Sequence, residues 1–494
     1  MTKTVTIQID GKAVKIPEGT TIFNAAKEAG IEIPHFCYHP KLSIAGNCRL
    51  CQVEVEGAKG PVISCRERVR DGMVVRVQSD TARDVRKNVL EFILINHPLD
   101  CPICDQSGEC KLQDQYFDHS LKPSQMTWPK VHKPKAKTIG PQVMLDDERC
   151  VLCTRCIRFC DEIVGEHQLI LRERGDHSTI DVFPGKQLDN AYSLCTVDLC
   201  PVGALTSSDF RFKKRVWFLT STPSICTGCA TGCNIWLDHC DQKVYRYRPR
   251  ENEAVNQCWM CDPGRMTYKA INSDERVLFP IVRNDGAYQR TSWFEAMART
   301  QQLLAGVNPE GIVGIVSAEA SLEENMGLIR FLKECGVTSF VWAGRSPEPQ
   351  FVDKILRDAD RNPNTHGVKM LTKTRFGKET KGQAFVVLGR LHGDDLTTLV
   401  SQKPKAVIAI TDILPANEQW ADVVLPRASH AEQEGHMVNR AGLLQKFERA
   451  FAPKGESAPG WQIAARLAGA WGKPLGFTSA REVFETEKQH YDVV

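Results

Sequence analysis

The chain has 494 residues, 42% of them hydrophobic and 25% charged, with a formal net charge of +3. That length predicts several domains rather than one core, in a composition ordinary for a globular protein. The near-neutral balance argues against nucleic acid or an anionic membrane as main partner, no apolar run is long enough to span a bilayer, and the opening MTKTVTIQIDGK lacks a signal-peptide core. The expectation is a cytoplasmic protein, at most peripheral to a membrane.

In residues 1 to 20, Val5, Ile7 and Ile9 alternate, Asp10-Gly11 supplies a tight turn, and Val14 and Ile16 resume the alternation. This predicts a β-hairpin. TIFNAAKEAGI then predicts a short helix with Ile22, Ala25 and Ala26 on one face, and TARDVRKNVLEFILIN (81–96) has helical spacing up to HPLDCPICDQSGEC. The Pro- and Lys-rich stretch 121–141 reads as a linker or extended arm. Two cysteine-rich regions follow, about 142–210 and 217–275. Beyond 276, short apolar strands (GIVGIVS, FVVLG, KAVIAIT) alternate with helical segments (LEENMGLIRFLKECG, DDLTTLVSQ), which predicts a parallel α/β layer. Neither nucleotide-binding glycine fingerprint is present.

Nineteen of the twenty cysteines lie between Cys37 and Cys261. Without a secretion signal, thiols are expected to stay reduced, so clustered cysteines read as metal ligands before disulfides. The first set is Cys37, Cys48, Cys51 and Cys65. With the hairpin and helix before it, this segment resembles a plant-type 2Fe–2S ferredoxin, although its first spacing is longer than in that family. Ala45 and Gly46 would let backbone N–H groups point at the sulfurs; a structural zinc is the alternative. The second set offers only Cys101, Cys104 and Cys110, with His97 just upstream. Either His97 is the fourth ligand of a 4Fe–4S cluster, or three thiols hold a 3Fe–4S cluster with His97 as a nearby hydrogen-bond donor.

The third set opens CVLCTRCIRFC, the run of two-cluster ferredoxins in which the fourth cysteine ligates the other cluster. The partner half ends at Cys200-Pro201, but its own ligand positions hold Asn190, Ser193 and Thr196. One cluster therefore remains, on Cys150, Cys153, Cys156 and Cys200, and Cys160 is an orphan. The fourth set is Cys226, Cys229, Cys233 and Cys261, with Cys258 a rival for the last position and zinc a rival metal. Its opening resembles the 4Fe–4S lobe of molybdopterin oxidoreductases. Fifteen cysteines and one histidine then make four complete sites, leaving Cys160, Cys195, Cys240, Cys258 and Cys335, the last read as a small buried hydrophobe.

This order of sets resembles the large iron–sulfur G subunit (75-kDa type) of respiratory complex I, NADH:quinone oxidoreductase. HPLDCPICDQSGEC, CVLCTRCIRFC and DLCPVGALTS carry the resemblance over residues 1 to about 275, and ADVVLPRASHAEQEGHMVNRAGLLQ (421–445) extends it more loosely. The implied fold is α+β and multidomain. It comprises a β-grasp 2Fe–2S ferredoxin-like domain (1–80), a 4Fe–4S domain with one histidine and three cysteine ligands (81–120) and a linker (121–141). A 4Fe–4S ferredoxin-like domain (142–216), a molybdopterin-oxidoreductase-type 4Fe–4S domain (217–275) and a shortened α/β domain without cofactor (276–494) complete it. The resemblance makes His97 a cluster ligand and implies one 2Fe–2S and three 4Fe–4S clusters, no molybdopterin, and FMN on a partner subunit.

The implied partners are the flavoprotein NADH-binding subunit, the small 2Fe–2S subunit and the peripheral-arm subunits leading to quinone, on the cytoplasmic side of the inner membrane. The implied electron order runs from the 2Fe–2S set to the Cys150 set and then the His97 set, with the fourth set off the main path. Proton translocation would belong to the whole complex, and no complete NADH or quinone site to this chain. Rival readings are an iron–sulfur subunit of a soluble NAD-linked hydrogenase or formate dehydrogenase, a catalytic molybdopterin enzyme, and a structural zinc protein. The second needs a metal-ligating Cys or Ser in the α/β region, whose one cysteine is Cys335.

Overall fold

Asp10 and Gly11 both take left-handed backbone, φ 47° and 81°. That pairing turns the chain in step with the twist of its flanking strands. In the computed structural model, which describes residues 3–121, 123–414 and 419–491, it joins strand Thr4–Ile9 to strand Lys12–Pro17, with Thr4 opposite Pro17 and Ile9 opposite Lys12. Alternation puts Val5, Ile7, Ile9 and Ile16 inward, each 1% exposed or less. Helix Ile22–Glu28 is capped by the Thr21 side chain, which accepts from the Asn24 amide, and lays Ile22, Phe23, Ala25 and Ala26 on this face. Strand Val74–Arg76 runs parallel to the first strand and completes a five-stranded sheet with Gln52–Val55 and Val62–Ile63. A helix crossing a mixed sheet in this way is a β-grasp.

The described chain divides into two units, Met1–Phe218 and Leu219–Val494. In the first, helix Asp80–Leu94 starts at Ser79, whose hydroxyl caps the Ala82 amide, and ends just before His97. Residues 123–136 have no regular secondary structure but are pinned down. Lys130 donates to the Leu94 and Ile95 carbonyls, the Val131 amide donates to Asn96, and Lys133 donates to the Ser178 carbonyl. A ferredoxin-like part follows, with a three-stranded sheet (Leu205–Ser207, Val143–Leu145, Lys137–Thr138), the hairpin Leu169–Arg172/Thr179–Val182, and short helices Arg155–Phe159 and Cys195–Leu199.

The second unit opens with an antiparallel sheet of Thr220–Ile225, Asn234–Cys240 and Lys243–Pro249. Beyond it lies a seven-stranded sheet in the order Ala287–Arg290, Ile281–Asn284, Val423–Pro426, Ala406–Thr411, Ala384–Leu388, Ile312–Ser317, Ser339–Ala343. The last five are mutually parallel. Every residue of Ile312–Ser317, Ala384–Leu388 and Ala406–Thr411 is buried, because helices cover both faces of a parallel sheet and leave no wet side to alternate toward. Helix Leu322–Glu334 begins in a capping box, Ser321 with Glu324, and is flanked by Gly460–Ala470 and Ala480–Glu487. No helix among the described residues is long and apolar enough to cross a membrane.

Candidate metal centres

The first set sits in the loop after helix Ile22–Glu28 and at the end of strand Val62–Ile63. Cys37, Cys51 and Cys65 are buried and Cys48 is half-buried. The Cys48 thiol and the amides of Asn47 and Cys48 direct hydrogen bonds at the Cys37 sulfur, which favours its thiolate, and Cys65 does the same for Cys51. Gly46 (φ 64°) and Arg49 (φ 59°) take the left-handed turns that bring these amides round. Successive N–H groups converging on a sulfur form an anion-binding nest.

In the second set, His97, Cys101, Cys104 and Cys110 line one cavity of about 530 Å³. Amides of Leu112 and Gln113 point at the Cys110 sulfur, and that of Gln106 at Cys104. Burial, with Lys130 and Arg149 nearby, lowers the His97 pKa to about 4, so at neutral pH the imidazole is an uncharged donor able to ligate a metal. Asp100 is held by Arg149 (2.9 Å) and Lys135 (2.5 Å), which ties this loop to the residue preceding Cys150. A Cβ on Gly203 would stand 2.3 Å from the Cys104 sulfur, so the chain leaves room there that any side chain would fill.

Cys150, Cys153, Cys156 and Cys200 line a single apolar cleft with Leu145, Ile180, Val202 and Leu205. Leu152 and Thr154 are left-handed (φ 52° and 58°), and the Leu152 amide lies 3.4 Å from the Cys150 sulfur. Amides of Val202, Ala204 and Leu205 point at Cys200. The partner positions hold no thiols but are packed: Asn190 donates to Gln168 at 2.6 Å and accepts from the Tyr192 amide, and Thr196 donates to the Ser193 carbonyl. Cys160 and Cys195 are buried close to each other beside them.

Cys226, Cys229, Cys233 and Cys261 are all buried, at 4–6% exposure, and near enough to one another to interact. The Gly228 amide lies 3.4 Å from the Cys226 sulfur, and a Cβ on Gly264 would meet both Cys226 and Cys261 sulfurs at 3.1 Å. Cys258 is half-buried. Cys240 and Cys335 are half-buried too, Cys335 at the C-cap of helix Leu322–Glu334.

The motifs did not single out the arginines that hold these loops. Arg345 and Arg361 donate to the carbonyls of Thr227 and Gly228, and the Arg440 amide donates to that of Ala230. These lie more than a hundred residues from the cysteines they serve, so no local signal marks them. Arg155 stands between Cys153 and Cys156 in CVLCTRCIRFC and Arg158 two residues after Cys156, and there the spacing was visible.

Soft thiolates with one neutral imidazole, most of them buried or half-buried with Cys101 exposed, and with amide N–H groups aimed at several sulfurs, are the donor set of iron–sulfur clusters. Glycines packed against ligand sulfurs fit a bulky group between them. Among the described residues, no three His, Cys, Asp or Glu groups are arranged to hold a single metal ion.

Five stretches match families of known proteins. Residues 2–80 match the 2Fe-2S iron-sulfur cluster binding domain, 86–124 the NADH-ubiquinone oxidoreductase-G iron-sulfur binding region, and 140–206 the NADH-quinone oxidoreductase subunit 3 ferredoxin-like domain. Residues 219–273 match the molybdopterin oxidoreductase Fe4S4 domain and 358–470 the molybdopterin oxidoreductase family. The G subunit of the NADH-quinone oxidoreductase of Rickettsia conorii is 39% identical over 336 residues, 68% of this chain and 50% of its own length. The mitochondrial NADH dehydrogenase [ubiquinone] iron-sulfur protein 1 of Solanum tuberosum is 40% identical over 70% of this chain and 47% of its own. The corresponding G subunit of Streptomyces coelicolor is 42% identical over 63% and 37%. The chain thus spans about half the length, or less, of these curated relatives. It is built of a 2Fe–2S domain, ferredoxin-like 4Fe–4S regions and a molybdopterin-oxidoreductase-type α/β domain, and it belongs to the family of iron–sulfur G subunits of NADH-quinone oxidoreductases.

Proposed function

We propose that this chain is the electron-transfer subunit of an NADH:quinone oxidoreductase, holding one 2Fe–2S cluster on Cys37, Cys48, Cys51 and Cys65. Three 4Fe–4S clusters are held by His97 with Cys101, Cys104 and Cys110, by Cys150, Cys153, Cys156 and Cys200, and by Cys226, Cys229, Cys233 and Cys261. The observation that carries the reading is that each set converges on one buried or cavity-lining locus, in the order of the family, with backbone amides directed at its sulfurs. When bound, such clusters supply one-electron transfer without proton chemistry.

The protein's own residues do the rest. Thiolates anchor, the neutral His97 lowers the negative charge of its set, apolar walls such as Leu145 and Val202 exclude water, and amide N–H groups offset charge on the sulfurs. Electrons would come from a flavoprotein NADH-binding subunit that carries FMN, beside a small 2Fe–2S subunit, and leave toward quinone through peripheral-arm subunits. That assembly would sit on the cytoplasmic face of the inner membrane and couple the transfer to proton translocation. The domain bounds inferred from sequence, and the α/β domain from 276 as a scaffold without molybdopterin, belong to the same reading.

The test is iron and acid-labile sulfide analysis with low-temperature EPR under reductive titration. One 2Fe–2S and three 4Fe–4S centres are expected from this chain. Stoichiometric zinc or molybdenum in their place would overturn the assignment.

A further inference from the structure

CVLCTRCIRFC carries two arginines that ligand counting leaves without a task. They lie three apart on helix Arg155–Phe159, so both project from one face. Neither forms its main contacts with an acid. Arg158 donates through one nitrogen to the Cys37 carbonyl (2.6 Å) and the Cys153 carbonyl (3.2 Å), and through the other to the Ser43 carbonyl. Arg155 donates to the Tyr38 and Leu199 carbonyls. One guanidinium thus joins the main chain of a ligand in the first set to that of a ligand in the third, and the other joins their neighbours Tyr38 and Leu199.

The contact extends to both sides. Glu162 accepts from the Ser43 amide (2.8 Å) and hydroxyl, and Asn47 donates to the Leu152 carbonyl at 2.9 Å. Residues 37–47 and 150–162 are therefore stitched together, at positions interleaved with the cysteines of each loop. Glu162 also meets Ser43, but the atoms that the two guanidinia bond directly are backbone carbonyls, which carry no countercharge. The Arg158 guanidinium thus stands within hydrogen-bond reach of the main chain of both Cys37 and Cys153.

We propose that Arg158, with Arg155 beside it, is a positioning residue that clamps the first ligand set to the third and places positive charge between them. The planar fork suits it to this, because several donors in fixed geometry can span two loops at once, which a lysine ammonium on a flexible stem does not reproduce. The clamp fixes the separation of the two sets, and its charge makes an added electron more favourable at both. The inference rests on the reading of both sets as clusters.

The experiment compares the unaltered chain with Arg158→Gln and Arg158→Lys by EPR redox titration and by amide hydrogen exchange. In Arg158→Gln the midpoint potentials of the first and third sets should both move negative, while the fourth set, on Cys226 to Cys261, serves as internal reference and stays. Exchange across residues 38–48 should accelerate in both variants. Arg158→Lys should restore the potentials, since charge is kept, and not the protection, since the fork is lost. Unchanged potentials in Arg158→Gln, or unchanged exchange in both variants, overturns the clamp. If Arg158→Gln does not fold, Arg158→Lys decides: protection equal to wild type refutes the proposal. A wild-type chain without iron–sulfur signals would instead refute the ligand assignment, and the exchange arm reads the clamp independently of it.

Discussion

Replacing Gly203 with alanine isolates one steric demand of the second site. The new Cβ would lie 2.3 Å from the Cys104 sulfur, 3.1 Å from Gln106 Cβ and 3.7 Å from Arg149 Cδ. Carbon and sulfur in van der Waals contact stand about 3.5–4 Å apart, so Cys104 must retreat by more than an ångström. It is buried and carried by a loop that Arg149 and Lys135 pin at Asp100 and Arg215 pins at the Cys104 carbonyl. Gly203 itself has no left-handed backbone, so alanine adds no backbone strain and the whole effect is the clash. Overpacking of this kind costs about 1–3 kcal/mol. For a unit of this size that is a fall in melting temperature of roughly 2–12 °C. The larger consequence is selective: displacement of one sulfur should empty the His97 site while the other three keep their iron. Gly264→Ala, with contacts of 3.1 Å to two sulfurs, should disturb the fourth set more mildly. The assay is iron and sulfide content with EPR, beside calorimetry of the same samples. A Gly203→Ala protein with every cluster signal and an unchanged melting temperature would refute the steric account of this site.

Three further outcomes are expected. His97→Cys replaces a neutral ligand by a thiolate and should shift the potential of that centre to more negative values in a redox titration, whereas an unmoved potential removes His97 from the ligand set. Arg427 and Glu324 form a buried two-contact pair, at 2.7 and 2.8 Å, so Arg427→Ala strands a buried carboxylate and should cost about 3–5 kcal/mol in urea unfolding; Arg427→Ala with Glu324→Gln should recover part of that loss. Burial works against ionisation of Glu319, yet Arg345 and His392 prevail and hold its pKa at about 2, below the ordinary glutamate value of 4.5. A lowered acid pKa contributes stability that is complete above the unfolded value and lost as pH falls from about 4.5 toward 2, here about 3 kcal/mol. Glu319→Gln should remove that pH dependence from the unfolding midpoint of the Leu219–Val494 unit, and an unaltered acid profile would count against it.

What was readable in the sequence was local. Asp10-Gly11 between alternating strands dictates a hairpin because the φ values of two residues suffice, whereas the caps at Thr21 and Ser79 emerged only with the structure. The cysteine sets were legible because most ligands lie in short loops, where spacing controls whether sulfurs can meet. The remote Cys65, Cys200 and Cys261 were expected in the same sets from ferredoxin-like and molybdopterin-type spacing, with Cys258 a rival for the last. The parallel α/β layer was legible as a class, since continuous apolar runs imply burial on both faces, but its strand order and the antiparallel hairpin at Ile281–Arg290 were not.

Only tertiary structure decided which distant groups complete each site. Gly203 lies 99 positions from the sulfur it accommodates, Arg345 more than a hundred from the carbonyl it holds, and Arg158 is 121 from Cys37. Such pairings bring together segments whose own conformations never specify one another. They follow from how the elements within each unit pack, and packing depends on the whole set of buried surfaces rather than on any single window.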